Sequence, residues 1–230
     1  MCFLLPGENG WGSDRDGITN REFIIYLDPE MSQSQTSQQI VYLARHGETA
    51  WSLSGQHTGL TDIPLTEKGE KAARLLGERL KRLSVKEVWT SPLQRASKTS
   101  AIAGFRATPV PDLVEWNYGK YEGMIKADIL KENPGWSIFR DGCPGGESVK
   151  NVEDRVERVI RKIRSVQGDV LLFAHGHILR SLASRWLGLE LTFGNYLALN
   201  TASLSILGYD RGIDHPVLRL WNDESHMENM

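Results

Sequence analysis

Cysteine is scarce in this sequence, which has Cys2 and Cys143 and no third. Cys2 lies in a segment without regular patterning, so we do not expect a structural disulfide between the two. A chain of 230 residues can bury enough apolar surface to fold without a disulfide or a metal ion as a staple. The low cysteine content therefore favours a reducing environment, the cytoplasm.

Charge of one sign does not dominate either. The 27 Lys and Arg residues nearly balance the 29 Asp and Glu residues, for a formal net charge of −2. Such a balance provides no general attraction for nucleic acids or for anionic membrane surfaces, so neither is an expected partner. Affinity for an anionic ligand must come from a local cluster of cationic side chains.

Long apolar runs are also lacking. No run approaches the ~20 residues that cross a bilayer. The first apolar stretch, residues 2–5, is shorter than the ~7–15 apolar residues of a secretory signal. The hydrophobic fraction of 40% and the charged fraction of 24% are typical of globular proteins. We therefore predict a globular protein of the cytoplasm.

Residues 1–37 differ in composition from the rest of the chain. They are rich in Gly, Asn, Asp, Ser and Gln, and they end in a polar stretch that is typical of a linker. We predict a flexible N-terminal extension over 1–37, a single domain over 38–222 and a C-terminal tail over 223–230.

Short apolar runs alternate with amphipathic stretches from residue 39 onwards. Buried strands are predicted at residues 40–44, 85–89 and 170–174. Helices are predicted over 66–83 with Thr66 as N-cap, from Pro92 with Ser91 as N-cap, over 149–163 with Ser148 as N-cap, and over 178–187.

Two further apolar runs, 204–209 and 217–221, flank the turn-like sequence DRGIDHP. This pattern predicts an antiparallel hairpin that closes the sheet. Strands that alternate with helices are typical of an α/β protein in which helices cover both faces of a parallel sheet. We predict a three-layer sandwich around a largely parallel sheet.

Two of the predicted strands end in similar motifs, ARHG at 44–47 and AHGH at 174–177. In open α/β sheets, ligands bind beyond the carboxyl ends of the strands. His46 and His175 stand at such positions, and the glycine after each lets a ligand approach the backbone. A lone histidine is more often structural, but two at equivalent strand ends favour a functional site.

Two arginines complete a cationic set with these histidines. Arg45 precedes His46, and Arg95 lies one turn into the helix that is predicted after residues 85–89. Taken alone, Arg95 is equally well explained by a surface ion pair. A guanidinium group keeps its charge and binds phosphate oxygens in a bidentate manner. The four side chains together suit one tetrahedral dianion.

Six motifs in this order resemble those of the histidine phosphatase superfamily, also called the phosphoglycerate mutase-like family: ARHGETAW, GLTDIPLTEKG, TSPLQRASKT, EWNYGKYEG, GGES and FAHGH. RHG alone would be weak evidence, whereas the ordered set over about 40–209 is highly specific. Within the family, WSLSGQHTG and GCPGGES are similar to bacterial acid phosphatase-like proteins and sugar bisphosphatases. The resemblance implies a phosphatase for small phosphorylated metabolites that needs no cofactor.

The resemblance also implies a catalytic role for each matching position. His46 would be the nucleophile that carries the phosphoryl group, and Arg45, Arg95 and His175 would bind the phosphate. Glu115 would protonate the leaving group and then activate water. Without the resemblance, Glu115 would not stand out among the carboxylates of the sequence.

Further substrate-binding candidates lie beside these positions, and they are Ser52, Thr58, Gly59, Tyr118 and Gly176. For Thr58, Gly59 and Tyr118 a purely structural role in a turn is an equally good explanation. Segment 120–143 is expected to lie over the pocket and to contact the rest of the substrate. His57 and His177 lack a third ligand, so we expect no metal site.

Departures from the mutase pattern favour hydrolysis over transfer. Ser52 stands where mutases usually have asparagine, and Trp116 and Asn117 stand where mutases have Arg-His. A mutase must keep water away from its phosphoenzyme until the acceptor binds. We therefore predict a phosphatase, with a phosphoglycerate mutase-type phosphotransferase and a catalytically silent binding module as alternatives. The sequence leaves a homo-oligomer open.

Overall fold

Residues 39–228 are described by the computed structural model. The predicted N-terminal extension, 1–37, lies outside them. The strands are β1 (Val41–Arg45), β2 (Glu87–Thr90), β3 (Thr108–Pro109), β4 (Val170–Ala174), β5 (Leu204–Tyr209) and β6 (Pro216–Asp223). The helices are α1 (Ala50–Ser54), α2 (Glu67–Leu80), α3 (Gln94–Ile102), α4 (Lys126–Glu132), α5 (Ile138–Asp141), α6 (Val149–Arg164) and α7 (Gly176–Trp186).

The six strands form one mixed sheet in the order β3-β2-β4-β1-β5-β6. Strands β1 to β4 pair with one another in parallel, β3 with β2, β2 with β4, and β4 with β1. Strand β5 pairs antiparallel with β1, and β6 pairs antiparallel with β5. The predicted largely parallel sheet and its antiparallel hairpin are confirmed.

Alternate residues of β1 and β4 pack into two separate apolar clusters, one on each face of the sheet. Val41, Leu43 and Leu172 pack with residues of α6 and α7. Tyr42 and Phe173 pack with residues of α2 on the opposite face. Because both faces are covered, the predicted three-layer sandwich is confirmed. Burying one large apolar side chain contributes roughly 1.5–3 kcal/mol, so these strands anchor the fold.

Two of the predicted N-caps are confirmed. The Thr66 hydroxyl accepts a hydrogen bond from the backbone N–H of Gly69 at 3.0 Å, so α2 begins as predicted and ends three residues early. Ser148 and Asn151 form a reciprocal capping box at the start of α6. These caps satisfy backbone N–H groups that the helices themselves leave unpaired.

The start of α3 differs from the prediction. The helix begins at Gln94 with Leu93 as N-cap, so Pro92 is not its first residue and Ser91 is not its cap. The Ser91 hydroxyl instead contacts a ring nitrogen of His175 and accepts from the Leu93 N–H. The short helices α1, α4 and α5 carry too little periodicity to be recognised in the sequence.

The C-terminal segment packs against α2. Strand β6 continues to Asp223, one residue into the predicted tail, and a 3-10 turn follows over Ser225–Met227. Asp223 forms an ion pair with Arg79 of α2. Across residues 39–228, none of the helices has both the length and the apolar character that a bilayer crossing requires.

The loop after β1 touches the first turn of α2 backbone to backbone. A Cβ atom on Gly69 would lie 2.2 Å from the carbonyl oxygen of Glu48, and one on Gly47 would lie 2.5 Å from the carbonyl oxygen of Gly69. The Thr66 N–H also donates to the Glu48 carbonyl at 2.9 Å. The two glycines therefore allow the start of α2 to fix the loop that carries His46.

Gly69→Ala is expected to destabilise the protein by about 1–3 kcal/mol, because the added methyl group meets rigid backbone. Helix propensity alone predicts the opposite sign, a gain of roughly 0.5–1 kcal/mol. Chemical denaturation of the variant decides between them. Lys71→Ala, at an exposed position of the same helix, is the matched control. Unchanged or increased stability of Gly69→Ala would contradict the close contact.

Candidate active site

A cavity of about 280 Å³ opens beyond the carboxyl ends of β1 and β4. Seven of the predicted site residues line it, and they are Arg45, His46, Ser52, Thr58, Glu115, Tyr118 and Gly176. The other three, Gly59, Arg95 and His175, lie behind this lining. All ten are thus brought into one region.

His46 is held in the form that a nucleophile needs. Its Nδ1–H donates to the carbonyl oxygen of Gly47 at 2.7 Å, which leaves Nε2 without a proton. Burial lowers the pKa of His46 well below its ordinary value, and the positive charges of Arg45 and Arg95 lower it further. The ring is therefore neutral near neutral pH, and Nε2 keeps the lone pair that attack on phosphorus requires.

His175 lies beside His46 because β1 and β4 pair in parallel, with Arg45 opposite Ala174. The two imidazole centroids are 5.2 Å apart. Arg95 Nε–H donates to His175 Nδ1 at 3.1 Å, so the proton of the neutral ring is on Nε2 and is donated to the Ser91 hydroxyl. Burial lowers the pKa of His175 well below its ordinary value, which keeps this ring neutral too.

Arg95 is completely buried, and four of its five N–H donors are engaged by the protein. Besides His175, it donates to the carbonyl oxygens of Thr58, Gly59 and Thr61 at 2.7–3.0 Å. A phosphate oxygen at this guanidinium would compete with those carbonyls. Direct phosphate binding by Arg95 and His175 therefore stays a prediction, while the charge of Arg95 acts on His46 in this geometry.

Arg45 is a cationic residue of the cavity wall. Its Nη1 donates to the Leu199 carbonyl, whereas its buried Nε–H has no hydrogen-bond partner among residues 39–228. Gly176 leaves room for the guanidinium group, since a Cβ there would lie 3.4 Å from the guanidinium carbon. Burial lowers the pKa of Arg45 and the charge of Glu115 opposes that shift, so the group stays cationic. Arg45 therefore places a positive charge beside the cavity.

The carboxylate of Glu115 caps the N-terminus of α7. It accepts the backbone N–H groups of His177 and Ile178 at 3.0 Å each, and that of Trp116 at 2.9 Å. A negative charge is stabilised at a helix N-terminus. These three contacts fix a buried carboxylate at the cavity wall.

Arg155 holds the segment that carries Glu115, and the sequence analysis missed it. Its guanidinium donates to the backbone carbonyls of Asp112 and Val114 at 2.8 Å each, and to both carboxylate oxygens of Glu147 at 2.8–2.9 Å. The signal was available, because Arg155 lies on the buried face of α6 with Val152 and Val156. A cation on an apolar helix face indicates a buried partner.

The remaining predicted binders have structural contacts of their own. Ser52 Oγ donates to the Thr49 carbonyl at 3.0 Å and accepts from the Thr49 N–H, so its hydroxyl is engaged in the capping box of α1. The Gly59 N–H donates to Glu122, and a Cβ on Gly59 would lie 2.6 Å from the Trp116 carbonyl. Substrate binding by Ser52 and Gly59 stays a prediction. In this geometry Gly59 allows the chain to pass close to the Trp116 carbonyl in a tight turn.

Four further titratable side chains line the cavity: His57, Lys126, His177 and Arg180. Both histidines were weighed as metal ligands from the sequence, whereas Arg180 was not among the predicted site residues. Within the described part of the chain, no group of three or more His, Cys, Asp or Glu side chains is arranged to hold a metal ion. Helices α4 and α5 bring Lys126 and Phe139 to this wall, as expected for segment 120–143.

Comparison with known proteins identifies the family. The histidine phosphatase superfamily (branch 1) matches residues 41–224, so the chain belongs to it. An acid phosphatase from Mycobacterium tuberculosis is 40% identical over 176 residues, which is 74% of this chain and 87% of that protein. Sedoheptulose 1,7-bisphosphatase from Saccharomyces cerevisiae is 37% identical over 182 residues, 64% of this chain and 67% of that protein.

The solved structure of an open reading frame product from Mycobacterium tuberculosis superposes with a TM-score of 0.77. It is 37% identical and covers 80% of this chain and 97% of its own. A Salmonella relative whose name refers to a phosphoglycerate mutase is 35% identical over 181 residues, 74% of this chain and 84% of that protein. The predicted family and the predicted enzyme class, a phosphatase, are confirmed by these matches.

Arg155→Leu is expected to destabilise the protein by about 3–5 kcal/mol, because Glu147 is left as an uncompensated, mostly buried charge. The three carbonyls around Glu115 also lose their donor. Denaturant unfolding measures the loss. Arg158→Leu, one turn on in α6, removes an exposed ion pair with Asp112 and should change little. Similar stabilities of the two variants would contradict the proposed clamp.

Proposed function

We propose that this chain hydrolyses phosphate monoesters of small metabolites, sugar phosphates included, through a phosphohistidine at His46. The observation that carries the proposal is the state of His46, which is neutral, has a free Nε2 and lines a cavity together with the cationic Arg45. The names of the acid phosphatase and sugar bisphosphatase relatives support the same activity.

In the first step, His46 Nε2 attacks phosphorus and the bond to the ester oxygen breaks. Arg45 stabilises the charge on the phosphoryl oxygens, which is the main task of a protein in phosphoryl transfer. Glu115, a carboxylate in the free site, must first bind a proton, and its carboxyl group then gives that proton to the leaving alkoxide. In the second step, the Glu115 carboxylate takes a proton from water, which attacks phosphohistidine and releases phosphate and neutral His46.

The lowered pKa of His46 favours activity in mildly acidic solution. An ordinary histidine gains a proton as the pH falls through about 6.5 and loses its attacking lone pair. Because the pKa of His46 is well below that value, the neutral nucleophile persists at a lower pH. Retention of activity at lower pH agrees with the name of the relative that is 40% identical, an acid phosphatase.

Hydrolysis is favoured over the mutase alternative by Trp116 and Asn117. Trp116 is completely buried and its ring N–H donates to the Glu147 carbonyl. Asn117 Oδ1 accepts from the Gly119 N–H within its own turn. Neither side chain offers a cation that could retain a phosphorylated acceptor. The cytoplasmic location and a homo-oligomer stay predictions from the sequence.

His46→Ala is expected to abolish turnover and leave the protein folded, because it removes the attacking nitrogen and little buried apolar surface. Brief reaction of the parent with ³²P-labelled substrate in EDTA, followed by an alkaline quench, should give base-stable, acid-labile label that the variant lacks. His215→Ala, in the exposed turn before β6, is the control and should keep the label. Acid-stable, base-labile label would indicate a carboxylate nucleophile and overturn the assignment.

Glu115→Gln is expected to slow phosphorylation by alkyl phosphates by roughly 10²–10⁴-fold, the usual contribution of general acid catalysis. Aryl phosphates should be affected much less, since a phenolate leaves without a proton. Pre-steady-state measurement isolates this step from the later hydrolysis. Glu122→Gln removes another carboxylate that accepts backbone N–H groups and serves as control. Equal losses for both substrate types would exclude Glu115 as the acid.

A further inference from the structure

Two histidine rings lie parallel in the cavity wall. The imidazoles of His57 and His177 have centroids 6.0 Å apart and planes within 8° of each other. Tyr118 and Trp136 contact His57 edge-on, at 4.8 and 5.7 Å, and Phe139 lies 5.3 Å from His177. These aromatic contacts hold both rings in place before any ligand binds.

The hydrogen bonds of His57 fix its tautomer. Its Nδ1 lies 2.9 Å from the carbonyl oxygen of Met124. A carbonyl can only accept, so Nδ1 carries the proton, and Nε2 of the neutral ring is an acceptor.

We assign His177 the opposite tautomer. Its Nδ1 lies 2.6 Å from the hydroxyl of Tyr118, which is buried. Among residues 39–228 this is the one hydrogen bond of that hydroxyl, and donation to Nδ1 is the direction that gives the phenolic proton a partner within the protein. The proton of the His177 ring is therefore on Nε2, which is a donor. Burial lowers the pKa of both histidines, which keeps both rings neutral.

The two Nε2 atoms are available to a ligand. Neither has a hydrogen-bond partner among the described residues. The fully buried side-chain atoms without a partner in this part of the chain are Arg45 Nε and His226 Nδ1, so neither histidine Nε2 is sealed off. Both residues line the cavity that holds His46.

We propose that His57 and His177 recognise hydroxyl groups of the substrate, one as acceptor and the other as donor. A hydroxyl group can both donate and accept, so neighbouring hydroxyls of a polyol can give a proton to His57 Nε2 and receive one from His177 Nε2–H. The preferred substrates are then polyhydroxylated alkyl phosphates, the chemistry of sugar and sugar alcohol phosphates. This inference rests on the proposed function, since it concerns the part of the substrate beyond the phosphate at His46.

A matched pair of substrates isolates the contribution of the hydroxyls. Ribitol 5-phosphate and pentyl phosphate have the same carbon chain and the same ester linkage, and they differ in hydroxyl groups alone. The parent should have a kcat/KM for ribitol 5-phosphate at least about tenfold higher. 4-Nitrophenyl phosphate, which has no hydroxyl, reports the phosphatase activity itself.

Two variants remove the proposed contacts and keep the ring shape. His57→Phe and His177→Phe should each lower kcat/KM for ribitol 5-phosphate by about tenfold. The kcat/KM values for pentyl phosphate and 4-nitrophenyl phosphate should stay within about threefold of the parent, because neither substrate has a hydroxyl group that the histidines could bind. His215→Phe is the control for a histidine outside the cavity.

The outcomes separate this inference from the proposed function. Equal losses on ribitol and pentyl phosphates, or no loss on either, would overturn hydroxyl recognition. A parent that hydrolyses 4-nitrophenyl phosphate without preferring ribitol 5-phosphate would also overturn it and leave the phosphatase assignment standing. A parent that hydrolyses none of the three would refute both. Nitrogen-15 NMR of the imidazoles gives a readout that is independent of activity, and a proton on His57 Nε2 or His177 Nδ1 would overturn the inference.

Discussion

The parallel pairing of β1 and β4 is the constraint on which the site depends. Its register places Arg45 opposite Ala174, and the His46 N–H donates to the Ala174 carbonyl at 3.0 Å. A slip of one residue would turn every side chain of a strand to the other face. Because both faces are packed with apolar residues, such a slip is strongly disfavoured. The core thus sets the distance between the two histidines.

The cations of the site have two effects that reinforce each other. Arg45 and Arg95 suit an anionic substrate, and their charges also lower the pKa of His46. A phosphate-binding pocket with fewer positive charges would bind its ligand less tightly and would also protonate its nucleophile more readily. Glu115 offsets part of this charge, and the backbone amides of α7 stabilise its carboxylate without a further cation.

Sequence patterns predicted five of the six strands, the long helices and the position of the site, because each depends on local periodicity and on where strands end. The two-residue strand β3 was not predicted. The predicted start of α3 was wrong because the Ser91 hydroxyl does not cap the helix and instead contacts His175, 84 positions away in the sequence. The position of Arg155 on the apolar face of α6 indicated a buried partner, but the partners themselves lie about forty positions earlier and could not be identified from local sequence. Glu115 was found through the family resemblance, because nothing in its local sequence distinguishes it. The tautomers of His57 and His177 depend on tertiary hydrogen bonds that no sequence pattern encodes.

The contact between Gly47 and Gly69 also has a consequence for local unfolding. With no side chain between the β1 loop and the first turn of α2, neither segment can loosen while the other stays in place. Amide hydrogen exchange reports such openings as cooperative units of a native protein. The amides of this loop and of the first helical turn then share one opening free energy. The backbone around His46 is therefore exposed to solvent only when the first turn of α2 opens with it.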